Sequence, residues 1–306
     1  MRGTGVLVLT LAYDCQQSCV FCSENEGLAG RHPSLGLEET LRILLVKRRE
    51  GVKTVFIGGG GEPTLNLHFP KIVEAAKRLG MRLCVISNGL RFADAAFAGR
   101  VLPWIDEIVF SLHGDTADVH ERVTGTPGSF TRVAAAFRNA AAGARALASM
   151  TVATRLNWDQ IDRIVCRSLG ESGARTCYLS SLSPEGRAGE KYEELVVPLA
   201  EWRRRLPSLA ALAASLGGVL KTRLLPRCVL GDPRMDFSIP AAHVVYRSLV
   251  NGRSELVDCL ELETHDQKGQ VKTARCADCP HAAACSGMFA RYVEAFGDAD
   301  LGIVAA

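Results

Sequence analysis

Apolar residues along this chain fall into short β-rich runs that alternate with longer stretches of helical period. The runs lie at about 6–12, 53–57, 82–87, 105–111, 148–154 and 175–181. Helical patterns separate them at about 34–50, 68–79, 92–100, 129–143, 158–170 and 195–217. In the first of these, Leu37, Leu41, Leu44 and Leu45 share a face, with Ser34 placed to cap its start and Gly51 to end it. Ser129 is placed to cap the fourth, where Val133, Phe137 and Ala141 recur every four residues, and Asn157 or Asp159 can start the fifth. Six β-α units in series imply a parallel sheet covered by helices, because parallel strands need crossover connections. Periodicity leaves open whether that sheet is open and doubly wound or a partial barrel. In both, ligands gather at the C-terminal ends of the strands.

Beyond about residue 226 the pattern breaks into cysteines, turns and short segments with no further β-α repeat. The expected organisation is an α/β domain over 1–226 and a small C-terminal domain over 227–306. A segment so short has little core of its own and is suited to being held together by a metal.

The 306 residues are 47% hydrophobic and 23% charged, enough to bury a sizeable core. Net charge is only +3, and the basic stretches Lys47-Arg48-Arg49 and Arg203-Arg204-Arg205 stand on helical patterns beside acidic residues. They read as solvated faces, and no nucleic-acid partner is implied. The apolar run Val6–Ala12 is short and lacks a small-residue cleavage site, and no stretch reaches the ~18 apolar residues of a membrane span. A cytoplasmic protein with no membrane partner is expected. Eleven cysteines are therefore unusual, since in a reducing compartment tight spacing points to metal rather than to disulfides. Cys84, Cys166 and Cys177 stand alone in apolar stretches and read as small buried hydrophobes.

Three cysteines, Cys15, Cys19 and Cys22, lie on the loop after the first strand. Iron–sulfur clusters normally take four thiolates. Three local ones leave one iron open to an external chelating molecule; a zinc knuckle or plain buried thiols are the alternatives. The second strand runs into Gly58-Gly59-Gly60-Gly61-Glu62-Pro63-Thr64, which no Gly-Lys-Ser/Thr follows, so a phosphate loop is a weak reading. Glycines there let backbone approach a ligand closely, and Glu62 can accept from an ammonium.

The Cys-x3-Cys-x2-Cys spacing, with Phe21 before the third cysteine and Gly60-Gly61-Glu62-Pro63 one unit later, resembles the radical S-adenosylmethionine superfamily. The resemblance covers residues 6 to about 226 and implies a partial (β/α)6 TIM-like barrel. It implies a [4Fe–4S] cluster on Cys15, Cys19 and Cys22 that chelates S-adenosylmethionine and cleaves it reductively to a 5′-deoxyadenosyl radical. Gly60, Gly61, Glu62 and Pro63 would contact its methionyl part, and Ser87 and Asn88 its ribose or methionyl part. Ser111, His113, Arg155 and Asn157 stand at later strand ends as further cofactor contacts. For Ser87-Asn88-Gly89 a simple turn, and for His113 a histidine satisfied by backbone, are the plain alternatives. An electron donor such as flavodoxin or ferredoxin is implied as partner.

The tail carries Cys276-x2-Cys279-x5-Cys285, a spacing also found in the SPASM and twitch extensions of this superfamily. The full SPASM pattern is not met, because Phe289 stands where another cysteine would be. A single auxiliary [4Fe–4S] cluster is expected, on Cys276, Cys279, Cys285 and either Cys228 or Cys259. Zinc is the competitor, with His281 or His265 available. If Cys228 is the ligand, Cys259 is a candidate donor of a hydrogen atom to a substrate radical. It lies in the acidic stretch 255–266, which would suit a polyamine or aminosugar.

The expected function is removal of a hydrogen atom from a substrate C–H bond, epimerising or dehydrogenating a sugar or aminoglycoside-type metabolite. Maturation of a ribosomally made peptide is the alternative. The first strand begins almost at Met1, which reads against a leader-binding domain in this chain. From another class, a non-catalytic zinc or iron–sulfur protein is the third reading.

Overall fold

Among the described residues, seven of eleven strands and ten of eleven α-helices alternate through the first three quarters of the chain. The computed structural model describes residues 5–24, 32–237, 242–250, 253–261 and 269–302. β1 (Val6–Leu9), β2 (Thr54–Ile57) and β3 (Arg82–Ser87) are followed by α1 (Leu37–Arg49), α2 (Phe69–Arg78) and α3 (Ala95–Val101). Then come β4 (Glu107–Ser111), α4 (Ala117–Thr124), α5 (Ser129–Ala141), β5 (Leu147–Val152), α6 (Ile161–Cys166) and β6 (Thr176–Ser180). α7 (Gly186–Glu190), α8 (Tyr192–Leu195), α9 (Leu199–Ser215), β7 (Val219–Arg223) and α10 (Arg227–Leu230) complete this part. β8 (Ala242–Val250), β9 (Arg253–Glu261), β10 (Gln270–Val271), β11 (Met288–Phe289) and α11 (Ala290–Phe296) form the rest.

Local chemistry explains several boundaries and moves others. α1 opens on Glu38 and Glu39 and closes on Lys47, Arg48 and Arg49, matching its dipole, and Gly51 follows with φ +95°. Its start, however, is capped by Gly36 and not Ser34, and it buries Thr40, Ile43, Leu44 and Lys47 while Leu45 is exposed. Ser129 likewise is the first residue of α5 behind Gly128, not its cap. α4, which the hydrophobic period does not mark, is a single short helix begun by Thr116 and ended by Gly125.

The strands form one sheet in the order β7-β6-β5-β4-β3-β2-β1-β8-β9, parallel up to β8, with β9 antiparallel at the edge. Its two faces bury different sets. Leu7, Leu9, Val55, Ile57, Leu83, Val85, Ile108 and Phe110 pack against the helices, while Cys84, Val109, Ala148, Met150 and Tyr178 form a second cluster with Phe56 and Phe237. The second face is concave. Phe237 touches Phe56 of β2 at 6.4 Å and Tyr178 of β6 at 4.7 Å, centroid to centroid. In a flat sheet those strands would lie four steps, roughly 19 Å, apart. The sheet is therefore curled as a partial, TIM-like barrel.

The sheet also extends past the six expected units. β7 follows α9, and β8 joins the far edge by pairing Leu7, Val8 and Leu9 with His243, Val244 and Val245. The hairpin of β8 and β9 carries Arg247, Ser248, Arg253, Ser254 and Glu255, the polar dress of an edge. That dress hid it from a hydrophobic reading, although Asn251-Gly252 between the strands is a strong hairpin signal. Cys84 and Cys177 are buried as expected of small hydrophobes, while Cys166 is half-buried. No helix among the described residues is long and apolar enough to cross a membrane.

Candidate functional site

The cysteine loop leaves β1 at the C-terminal mouth of the barrel and is seated by backbone contacts on three sides. On one side Gly61 N–H donates to Ala12 O and Glu62 N–H to Asp14 O, both at 2.8 Å. A Cβ on Gly61 would stand 2.1 Å from Asp14 O, and one on Gly60 2.6 Å from Ala12 O. These glycines serve close approach, and what approaches is the cysteine loop itself. On a second side Ser18 and Val20 N–H donate to Thr124 and Val123 O at 3.0 Å, with Gly125 pressed on Ser18 O. On the third, Ala188 N–H reaches Cys22 O at 3.4 Å and Arg187 Nη1 donates to Cys19 O at 2.9 Å.

Burial pushes the thiols of Cys15, Cys19 and Cys22 up, and for Cys19 the neighbouring Cys15 and Cys22 add to this while Arg187 opposes it. As bare side chains they would be protonated; a cationic group binding all three supplies the charge that makes them thiolates. The donor set and its enclosure fit an iron–sulfur cluster with a position left open.

Glu62 is buried beside this loop. Its Oε1 accepts from Thr64 N (3.1 Å), Thr64 Oγ1 (2.6 Å) and Ser87 Oγ (2.8 Å), and its Oε2 from Asn88 N (2.8 Å). Burial pushes the carboxyl above the usual range, against the pull of those donors. Oε1 is saturated, so an incoming ammonium would have to address Oε2. Asn88 Nδ2 in turn lies 3.7 Å from Cys15 Sγ. Cys15, Glu62, Ser87 and Asn88 are thus brought together, with Pro63 buried next to them at the start of a 3₁₀ turn.

The later strand ends divide. His113 is buried, its Nδ1 accepts from Val152 N at 3.2 Å, and its ring packs on Phe21 of the cysteine loop at 4.5 Å. Its proton therefore sits on Nε2. Beneath it His120 Nδ1 accepts from His113 N at 3.1 Å. Asn157 does not cap a helix with its side chain; it accepts from Thr154 N and donates to His113 O and Val152 O, fastening the ends of β4 and β5. Ser111 is half-buried at the end of β4. Arg155 is exposed, with its backbone bound to Leu195 O, and its charge is felt by Tyr292.

In the tail, Cys228, Cys276, Cys279 and Cys285 line one cleft of about 270 Å3 that is open to solvent. Cys285 Sγ accepts from Arg227 N and Gly287 N, each at 3.4 Å, and Gly287 at φ +94° leaves no room for a side chain against Val271 O. His281 is outside the lining, and His265 falls outside the described residues. No three His, Cys, Asp or Glu side chains among the described residues converge on a single-ion position. Cys259 is elsewhere. It stands on β9 opposite Val244, in the row of Val8, with its thiol 4.0 Å from Val244 O. Its neighbour Asp258 meets Lys47 of α1 on the helix side, so Cys259 faces the concave side. Of the acidic stretch, Asp258 is thereby engaged and 262–268 lie outside the described residues.

A family model described as the radical SAM superfamily matches residues 9–165, taking in the cysteine loop, the Gly58–Thr64 stretch and the strands through β5. This chain belongs to the radical SAM superfamily. Enzymes of this family use a [4Fe–4S] cluster and S-adenosylmethionine, and this radical SAM chain carries the three cysteines and the fold for both. Over 191 residues it is 32% identical to the mycofactocin maturase MftC of Mycobacterium ulcerans, covering 62% of this chain and 50% of that protein. Over 135 residues it is 33% identical to a probable GTP 3′,8-cyclase of Saccharolobus solfataricus, covering 44% and 42%. Streptococcus suis SuiB, solved bound to its precursor peptide SuiA, superposes with a TM-score of 0.58 at 19% identity, over 72% of this chain and 49% of SuiB. That likeness shows the fold. The chain spans about half the length of the curated relatives it matches.

Two parts of this radical SAM site were missed in the sequence. Arg187 stands just past β6, where the strand-end rule points, but nothing in its spacing marks it. Gly125 and Gly186 belong to no motif in the sequence, and only the fold shows the cysteine loop pressed against both.

Proposed function

We propose that this radical SAM enzyme removes a hydrogen atom from a C–H bond of a peptide substrate and returns one from Cys259, whose thiyl radical then takes one electron from an external low-potential donor and one proton from water. Cys15, Cys19 and Cys22 would hold the [4Fe–4S] cluster. Bound there and reduced, the cluster supplies the electron that cleaves S-adenosylmethionine and generates the hydrogen-abstracting radical. The chain's own groups orient and shield: Gly60, Gly61 and Pro63 set the wall beside the loop, and Glu62 Oε2 takes the ammonium. Ser87 and Asn88 hold that carboxylate in place. Ser111, His113, Arg155 and Asn157 line or brace the strand ends beyond.

The observation that carries the role of Cys259 is the four-cysteine cleft. With Cys228 completing a set of four, Cys259 is not needed as a ligand, and its thiol faces the concave side of the sheet. We assign an auxiliary [4Fe–4S] cluster to Cys228, Cys276, Cys279 and Cys285 in the segment 227–306. A peptide substrate is favoured over an aminosugar by two likenesses, one to a named maturase and one to a protein solved with its precursor peptide. The engagement of Asp258 by Lys47 removes part of the acidic surface that would have drawn a polyamine.

The test is anaerobic reconstitution with iron, sulfide, S-adenosylmethionine and dithionite, followed by turnover in deuterated water. Cys259→Ala should keep its iron and form 5′-deoxyadenosine while losing deuterium incorporation into product. Loss of iron in that variant would make Cys259 a ligand and end the donor reading.

A further inference from the structure

Helix α7 lies between the cysteine loop and the tail, and one residue on it carries charge toward the loop. Arg187 Nη1 donates to Cys19 O at 2.9 Å, and its charge acts on the thiols of both Cys19 and Cys22. Its neighbours fix it there. Gly186, at φ +58°, brings backbone so close that a Cβ would stand 2.5 Å from Ser23 O and 2.7 Å from Cys22 O. From the other side Arg291 of α11 donates to Gly189 O at 2.5 Å and pairs with Glu193 at 2.8 Å, so the tail holds α7 against the loop.

We propose that Arg187 is a positioning residue that holds the cysteine loop and whose fixed cation favours the reduced state of the cluster on Cys15, Cys19 and Cys22. The role rests on the family's cluster being bound at those three cysteines. A guanidinium stays charged at every working pH. Reduction adds one electron, and so one negative charge, to a cluster already bearing three thiolates. In a partly buried site a nearby fixed cation stabilises the more negative state, and second-sphere charge and hydrogen bonding are what set such potentials. Burial alone works the other way, because it disfavours added charge. Among the described residues, Arg187 acts against it at Cys19 and Cys22.

The experiment is a redox titration of the reconstituted enzyme with dithionite, followed by electron paramagnetic resonance, for wild type, Arg187→Gln and Arg187→Lys. Iron uptake is measured first in wild type and in Cys15→Ala, and the difference, which reports the first site alone, separates failure of the cluster assignment from failure of this role. With iron content unchanged, Arg187→Gln should show about a tenfold lower reduced-to-oxidised ratio at a fixed potential, about 59 mV for one electron. Arg187→Lys, which keeps the charge, should stay within about threefold of wild type. An unchanged midpoint in fully loaded Arg187→Gln overturns the proposal, as does a Lys variant that falls as far as Gln. If Arg187→Gln fails to load iron, Arg187→Lys decides by the same threefold limit.

Discussion

Cys15, Cys19 and Cys22 come from one short loop, whereas Cys228 is brought to Cys276, Cys279 and Cys285 across the length of the hairpin β8–β9. The loop is pinned by backbone hydrogen bonds from Gly61, Glu62 and Ala188 and to Thr124 and Val123, all outside the loop itself. Around the tail cleft the described segments are short: α10, the two-residue pairing of Gln270 and Val271 with Phe289 and Met288, and 3₁₀ turns at Ala274–Cys276 and Ala282–Ala284, anchored to the main core by Met288, Phe289, Tyr292 and Leu301. The first site is shaped by the fold before any metal arrives. The second has few regular elements between its core anchors, so a metal would add to what holds Cys276 and Cys279 in place. Chemistry that needs an open, correctly aimed iron suits the first kind of site, and a closed set of four ligands suits the second.

The strongest way to break this comparison is to remove one cysteine from each site. Cys15→Ala should lower 5′-deoxyadenosine formation at least ~100-fold, since a lost ligand costs no less than a lost supporting contact. Its thermal midpoint should stay within roughly 2 °C of wild type, equivalent to about 1 kcal/mol. Cys276→Ala should instead cost several kcal/mol locally. Limited proteolysis would then cut within 269–302 while the barrel stays intact. A Cys276→Ala tail as protease-resistant as wild type would remove the contrast.

Smaller but sharper is a pair of glycines. A Cβ on Gly61 meets Asp14 O at 2.1 Å, whereas one on Gly99 in α3 meets nothing within 4 Å. Gly61→Ala should destabilise by about 2–3 kcal/mol, the range of overpacking a rigid contact, and should displace the cysteine loop. Gly99→Ala should stabilise by roughly 0.5–1 kcal/mol, the helical gain of alanine over glycine. Urea midpoints and iron content of the two variants, side by side, report whether the loop is held by the fold.

Which parts were legible follows from where the determinants lie. The six β-α units and the three loop cysteines were readable because period and spacing are local properties. Gly60 and Gly61 were marked, but their contact was not, since only the parallel pairing of β1 with β2 brings Ala12 and Asp14 onto them. The hairpin β8–β9 was hidden by its charged edge, and the choice between Cys228 and Cys259 depended on the direction of β9's side chains. Arg187 could not be found at all by spacing, because its meaning comes from Cys19 O, far away along the chain.

Next in size is a dependence on pH that belongs to the first site alone. Burial pushes His120 down to about 4 and His113 well below its ordinary value, His120's charge adding to the effect on His113. Both are neutral in the fold and take a proton near pH 6.5 when unfolded, so the unfolded chain binds more protons below that pH. Their contribution is therefore full above 6.5 and falls with pH toward 4, by up to about 1.4 kcal/mol per pH unit for each histidine. Glu62 acts oppositely, because its raised carboxyl favours the fold at low pH and loses that contribution as pH rises past its ordinary value. Guanidinium midpoints between pH 7 and 4.5 should fall less steeply in His120→Gln and more steeply in Glu62→Gln. Identical slopes in all three proteins would mean that the histidines beneath the cysteine loop are not buried neutral.

The smallest effect concerns the hairpin that joins the two sites. Lys47 Nζ lies 2.8 Å from Asp258 of β9 and 3.2 Å from Glu50, and its side chain is 6% exposed against 43% for Asp258. Arg247 of β8 meets Glu39 of the same helix at 2.7 Å. Among the described residues, these two pairs tie α1 to the hairpin. Because Asp258 is half open to water, the Lys47 pair is screened, and Lys47→Met should cost about 1–2 kcal/mol rather than the 3–5 of a fully buried pair. The apolar stem of methionine keeps the packing of the buried lysine chain. A double-mutant cycle with Asp258→Asn should give a coupling of about 0.5–1 kcal/mol. The same variants should leave 5′-deoxyadenosine formation within about twofold, because the cysteine loop is seated by α4, α7 and the Gly60–Glu62 turn and not by β9. Deuterium incorporation should fall further than that, because it depends on where β9 holds Cys259. A parallel fall in both readouts would mean that the hairpin supports the first site directly.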